Sequence, residues 1–333
     1  MRCQAAVTSL SWIPSEAVTG LNKAVFGTGF THYDAPPPDV IDDLAALHAA
    51  DRFRFANDLS AWVEVDDGRI TAAGYSGGGL MGATTVAMGG HHATFAAVGL
   101  PDLQQPVVIE PSGASATFVQ TVGGRTAVPA PRRVNRPPFV QFQAPTVWTT
   151  LRLTIHADGR SDFELAGASG FPRHWVYAGD ARLSAKAGLA DFKDWWRHSF
   201  AKHTPWGDQE SPALVTAVET ALERELAESI MRGGAKPVVR TVKVGATLIE
   251  EGTTGTEVFL LLNGVLSVEV AGQPIAEIGP GAIVGERSLL EAGVRTSTLR
   301  ALTKATVAVA REEQIDREAL AEVSTGHRRE LHG

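Results

Sequence analysis

The chain is 333 residues long, enough for two domains, and its 44% apolar and 20% charged content suits a folded protein with a substantial core. Its 30 Lys and Arg stand against 37 Asp and Glu, and a net charge of −7 gives no reason to expect nucleic acid or an anionic membrane as partner. A single cysteine, Cys3, excludes an internal disulfide and any multi-cysteine zinc site, and no apolar run approaches the ~18 residues of a membrane span. The first twelve residues hold one basic residue, Arg2, and no long apolar core, so no signal peptide is read and the cytoplasm is the expected location.

In chain order, the segments around Trp12 and around His32-Tyr33-Asp34 read as extended or loop, since the three prolines Pro36, Pro37 and Pro38 forbid helix. Asp39 is expected to start a helix over Val40–Asp51, with Ile41, Leu44 and Leu47 on one face. From Phe53 onward the pattern is strand after strand. Trp62–Ala72 reads as a hairpin turning at Asp67-Gly68. Leu151–His156 alternates strictly and turns at Asp158-Gly159 into Phe163–Leu165, so Leu151, Leu153 and Ile155 should face a core. Val107–Ile109, Ala116–Val122 and Phe139–Phe142 are further short strands. Short strands between Gly and Pro turns argue for a barrel or a sandwich, and the pattern does not choose between them.

All seven tryptophans, the last being Trp206, lie before residue 207. The difference in composition divides the chain into a β-rich domain over 1–205, a linking helix over 206–235 and a second domain over 236–333. Phe192, Trp195, Trp196 and Phe200 form an aromatic stripe on an expected helix over Ala190–Phe200, read as packing. Ser211 and Pro212 then suit the start of a long helix. Leu214, Val218, Leu222, Leu226 and Ile230 recur every four residues along it, and Gly233-Gly234 end it. That seam can pack on the second domain or on the same seam of another chain.

The densest chemistry lies in Val284–Leu299, after Gly279 and Gly281. Gly285 and Glu286 are followed by Arg287–Glu291, expected to form one helical turn that aims backbone N–H groups at an anion. Arg295 offers a charged fork that suits phosphate oxygens, and Ser288, Thr296 and Ser297 add hydroxyls. Glu286 would repel a phosphate, so it is better placed to accept from a neutral hydroxyl such as a ribose 2′-OH. Together these residues read as a cradle for a small phosphate carrying a sugar.

This stretch resembles the phosphate-binding cassette of the cyclic nucleotide-binding domain, the family of the catabolite activator protein and the protein kinase A regulatory subunits. The resemblance extends over about 236–323 and includes Gly245, Gly252, Gly255 and Gly264 at the family's turns. It implies a jelly-roll-like β-roll with cAMP or cGMP as ligand and no metal. It also implies Glu286 on the ribose, Arg295 on the cyclic phosphate, and Thr296 on the phosphate or the purine. Two residues depart from the family pattern: Arg287 stands where an apolar side chain is usual, and Val294 replaces a proline. The helices ahead of the family's barrel favour packing of the linking helix within the chain. A homodimer through the flanking helices is the other option.

A last helix is expected over Glu312–Val323. The ten residues after it leave no room for the helix-turn-helix that the family's DNA-binding members carry there. Elsewhere, Gly74-Tyr75-Ser76-Gly77-Gly78 matches G-x-S-x-G, but a nucleophile elbow needs a helix next and a glycine-rich strand pattern follows. His91-His92 cannot chelate together from a regular strand, and a turn between strands is the preferred reading of the pair. Arg173, His174, Trp175 and Tyr177 could line a pocket for an anionic or planar ligand, but a loop closing one end of the β-domain is preferred. The sequence reading is therefore a mainly β, two-domain sensor. A cyclic nucleotide binds the C-terminal domain and the helices over 211–232 and 312–323 shift against the N-terminal domain. No catalytic residues are assigned. The rival reading is an N-terminal enzyme or carrier beside a barrel that is only structural.

Overall fold

The computed structural model describes residues 1–14, 34–82, 84–88, 91–95, 97–126, 130–133, 140–187, 204–206, 215–217, 227, 230–231, 237–290, 293–310 and 320–321. They fall into two units, Met1–Leu214 and Val215–Gly333.

The first unit is a two-sheet β-sandwich. Strands β1 (Arg2–Trp12), β2 (Phe55–Asp66), β3 (Arg69–Tyr75) and β4 (Gly78–Met81) belong to one sheet, with a short helix α1 (Leu44–Ala49) before β2. A hairpin of β5 (Thr84–Met88) and β6 (His91–Phe95) follows. The short strands β7 (Val98–Gly99), β8 (Leu103–Gln104) and β9 (Val108–Ile109) line one edge of β10 (Ser115–Arg125). After a second hairpin of β11 (Ala130–Arg133) and β12 (Val140–Gln143), β13 (Thr146–His156) and β14 (Ser161–Ala168) complete the second sheet. Finally β15 (Arg173–Tyr177) and β16 (Leu183–Ala187) return to the first sheet, beside β1.

β1 and β2 lie across from β10 and β13, and the alternation of each strand sets what meets between the sheets. Leu59, Val63, Phe118, Leu151, Leu153 and Ile155 are fully buried there. The expected hairpins are present: Asp66 pairs with Arg69 around Asp67-Gly68, and Ile155 pairs with Ser161 around Asp158-Gly159. The expected helix is shorter than its apolar face suggested. Asp43, not Asp39, caps it, its carboxylate accepting from Ala46 N at 2.9 Å. Ile41, Leu44 and Leu47 still share one face, packed against Leu10, Trp12, Phe53, Trp175 and Tyr177.

Three segments singled out in the sequence lie on strands or between them. Ser76 lies in a strand-to-strand connection between β3 and β4, so the strand-turn-helix of a nucleophile elbow is not formed. His91 and His92 sit side by side on β6 rather than in a turn. Arg173–Tyr177 is a wholly buried central strand, not a loop closing the end of a barrel. His174 is fully buried, with Nε2 2.7 Å from the Ser169 carbonyl and Nδ1 2.7 Å from Ser11 Oγ. A carbonyl only accepts, so Nε2 carries the proton and Nδ1 accepts from the serine hydroxyl. The Asp34 carboxylate holds the buried Arg54 guanidinium at 2.9 Å and accepts from Ile13 N at 2.8 Å. His32, Tyr33 and the expected helix over 190–200 lie outside the described residues.

The second unit opens on the short strand β17 (Val215–Ala217). Those three residues fall inside the expected linking helix but are extended, in keeping with the β-branched Val215 and Thr216. Ala227, Ile230 and Met231 are helical, and so are Leu320 and Ala321 of the last expected helix. Ser211 and the rest of both helices lie outside the described residues. Between them run β18 (Val238–Val242), β19 (Thr247–Ile249), β20 (Val258–Asn263), β21 (Leu266–Val270), β22 (Gln273–Ile278), β23 (Ile283–Val284), helix α2 (Glu286–Leu290), β24 (Thr298–Ala301) and β25 (Ala305–Ala310). They form two antiparallel four-stranded sheets, β18-β25-β20-β23 and β19-β24-β21-β22, which make a β-roll.

β20 is buried on both faces, which explains its unbroken apolar run. Phe259 and Leu261 join Leu266, Leu299, Val307 and Val309 inside the roll. Val258, Leu260 and Leu262 point the other way and pack with Ile230, Leu289 of α2 and Leu320. The described part of the seam thus packs within the chain. Among the described residues, no helix is long and apolar enough to cross a membrane.

Burial holds the folded His174 near pKa 4 against 6.5 for an exposed histidine. As pH falls the unfolded chain takes up the proton first. The stability this residue confers is therefore whole above pH 6.5, erodes below it, and is gone below about pH 4. The loss is on the order of 3 kcal/mol. Denaturant titrations followed by tryptophan fluorescence between pH 7.5 and 4.5 should show this slope, and His174→Gln should flatten it.

Candidate functional site

β23 ends at Gly285, whose φ of +87° turns the chain into α2. Glu286 is the first residue of that helix, one position earlier than the sequence suggested, and its side chain is buried. Arg287 is half-buried and Ser288 buried on the same turn. The chain then doubles back, and the segment around Arg295 is tied to the turn over 252–255 by backbone bonds. Gly252 N donates to Arg295 O at 2.9 Å, Arg295 N to Thr253 O at 2.8 Å, and Gly255 N to Gly293 O at 2.9 Å. Thr296 is exposed and Ser297 half-buried as the chain enters β24.

This path aims Arg295 inward. The residue is 6% exposed, and its guanidinium is held by acceptors from three places in the chain. Nη1 donates to Gly285 O at 3.1 Å and to Ser288 Oγ at 2.7 Å, and Nη2 donates to Glu257 O at 2.8 Å. Ser288 Oγ donates in turn to Gly285 O at 2.9 Å. Gly285 is required for space as well as for its backbone angle. A Cβ there would lie 2.5 Å from Arg295 Nη1 and 2.8 Å from Glu257 O. Phe259 lies under the cation, 5.8 Å from ring centroid to Cζ.

All three acceptors of the guanidinium are neutral. Burial lowers its pKa from the ordinary arginine value, while the nearby carboxylates of Glu257 and Glu286 act in the opposite direction. The Glu257 carboxylate itself is engaged with Arg240, at 2.7 Å on the surface. Among the described residues, then, no anion is bonded to this buried cation, which stands beside a buried carboxylate at the start of a helical turn. Arg287 adds a further positive charge on that turn, and its Nε is buried with no protein acceptor among the described residues.

The sequence singled out Gly285, Glu286, Ser288 and Arg295, and the fold gathers them. It did not find the part played by Glu257, which works through its carbonyl and so leaves no trace in residue type. Gly255 read only as a turn glycine, yet a Cβ there would lie 2.8 Å from Arg295 Nη2. No group of three or more His, Cys, Asp or Glu that could hold a metal occurs among the described residues.

Residues 239–321 match the family model of the cyclic nucleotide-binding domain, so this part of the chain carries that domain. Among solved structures, the N-terminal domain of a transcriptional regulator from Streptomyces coelicolor A3(2) is 24% identical, over 35% of this chain and 85% of that one, at a TM-score of 0.24. The EAL enzyme Bd1971 in its cGMP-bound form is 23% identical, over 26% of this chain and 24% of that one, at a TM-score of 0.23. A cAMP-bound PfPKA-R is 19% identical, over 32% of this chain and 44% of that one, at a TM-score of 0.23. No curated protein matches the chain.

Ser288→Ala would remove the neutral acceptor closest to the buried cation. Losing one hydrogen bond to a charged group should cost roughly 1.5–3 kcal/mol. Denaturant unfolding followed by far-UV circular dichroism should show that loss in the transition of the C-terminal domain.

Proposed function

We propose that the C-terminal domain is a sensor for cAMP or cGMP and that its occupancy regulates the N-terminal β-sandwich. In this reading Arg295 binds the cyclic phosphate through its fork and Glu286 accepts from the ribose 2′-OH. The first turn of α2 and the backbone near Thr296 and Ser297 add N–H groups and hydroxyls around the phosphate. A bound monoanion gives Arg295 the counter-charge that its neutral acceptors do not.

The observation that carries the reading is that buried guanidinium, bonded to two carbonyls and a hydroxyl and to no carboxylate among the described residues. A desolvated charge is costly unless paired, so such a site favours an anion of matching shape. A path for the signal is also at hand. Leu289 of the cassette helix packs in one apolar cluster with Ile230 and Leu320 from the helices before and after the roll. A ligand that tightens α2 shifts the population of those helices, provided it binds one arrangement better than the other.

Thermal unfolding with and without each nucleotide tests the sensor. At about 100 times its dissociation constant, a ligand specific to the folded state stabilises it by roughly 2.7 kcal/mol. Circular dichroism should show that gain for at least one nucleotide, and Arg295→Ala should abolish it. Because every tryptophan lies before residue 207, fluorescence reports the N-terminal unit alone. A nucleotide-dependent shift of the fluorescence transition is the expected sign of regulation. No shift by either probe at millimolar nucleotide would leave the roll as a scaffold.

A further inference from the structure

We infer that Gly255 is a positioning residue for the ligand phosphate, because its missing side chain keeps open the edge of Arg295 that the described residues leave unbonded. The inference rests on the cyclic nucleotide reading above and adds a residue to it. An arginine has five N–H donors in a rigid plane. Both hydrogens of Nη1 are used, by Gly285 O and Ser288 Oγ, and one of Nη2 is used by Glu257 O. A Cβ built on Gly255 has Nη2, Nε and Cζ of Arg295 as its three nearest atoms, all within 3.3 Å, and Glu257 O is not among them, so that carbonyl lies away from the Nε edge, on the Nη1 side of Nη2. The donors left over are therefore Nε–H and the second hydrogen of Nη2. They lie side by side and parallel, the arrangement that takes two phosphate oxygens at once.

Gly255 stands against that edge. A Cβ built on it would lie 2.8 Å from Nη2, 3.1 Å from Nε and 3.3 Å from Cζ. The carbon is farther than both nitrogens, so the methyl would sit beyond the outer rim of the plane rather than stacked on its face. That is the space into which the two free N–H groups point. The backbone gives no other reason for glycine here, since Gly255 is not among the glycines with positive φ. Gly285 differs, needing glycine for its φ as well as for space. Alanine at 255 is thus compatible with the turn but covers the donors.

The test is Gly255→Ala in the full chain, alone and combined with Arg295→Ala, with cAMP and cGMP binding measured by calorimetry and thermal shift up to millimolar nucleotide. Circular dichroism of the unliganded variants checks that the roll remains folded. The expected result is a loss of affinity of roughly ten- to a hundredfold in Gly255→Ala, the range for losing hydrogen bonds to a charged group. Alanine at 255 should cost nothing further once Arg295 is gone, because both changes remove the same contact. Affinity within twofold of the parent would overturn the role given to Gly255 and leave the sensor intact. So would a loss that adds independently to that of Arg295→Ala, whether or not the single variant is less stable. If the parent chain binds neither nucleotide, the sensor reading fails and this inference falls with it.

Discussion

The C-terminal domain depends on a buried positive charge. Taking the Arg295 guanidinium out of water is unfavourable, and among the described residues that cost is offset by neutral acceptors bonded to it, with the Glu257 and Glu286 carboxylates acting through space. Those acceptors come from Gly285 and Ser288 on one turn and from Glu257 well before it in sequence, and they meet only when β20, β23 and α2 are in place. The backbone ties between Arg295 and Gly252–Thr253 fix where the side chain starts. The two glycines on either side fix how close the rest of the chain comes. The cassette is therefore less a loop with a charged residue on it than a joint closed around a cation.

The strands behind that joint tie it to the helical residues. β20 and β25 each show one face to the roll interior and the other to the helical residues. A strand packed on both sides cannot move toward one layer without opening a gap against the other, and close-packed interiors resist such gaps. Leu289 belongs to the helical layer, so the cassette and the flanking helices share one apolar contact surface. The N-terminal sandwich uses the opposite strategy at one end of its interior. Ser9, Asn57, Gln120 and Thr149 are buried there as a bonded polar network, and the buried His174 bonds Ser11 and the Ser169 carbonyl. Such networks fix one pairing of the sheets, because any other would leave polar atoms unsatisfied.

Much of this was legible in the sequence where local rules dominate. Strict alternation and turn residues gave the hairpins at Asp67-Gly68 and Asp158-Gly159, and the Gly285-Glu286 pair with Arg295 gave the cassette. Where tertiary contacts decide, the reading went astray. Arg173–Tyr177 looked like a loop because it is dense in polar and aromatic groups, yet it forms a central strand whose His174 is satisfied by Ser11 and by the Ser169 carbonyl. The helix before β2 was read from its apolar face and came out too long, because the Asp43 carboxylate takes the capping bond three residues on. Val215–Ala217 fitted the four-residue repeat of a helix and are extended instead. The choice between barrel and sandwich had no local signal, since it depends on which strands face each other. Glu257 was invisible for a simpler reason, as any residue type supplies a carbonyl.

The bonds that hold Arg295 also bear on the thermodynamics of anything it binds. A free arginine samples many rotamers, and freezing a long side chain costs up to about 2 kcal/mol of conformational entropy. Here that loss is incurred when the chain folds, because Gly285, Ser288 and Glu257 already fix the guanidinium. An arriving anion meets a fork that is stationary and already aimed, so less of its interaction energy is consumed in ordering the protein. A ligand as small as a mononucleotide has few atoms with which to make up such a deficit, and a site fixed in advance suits it.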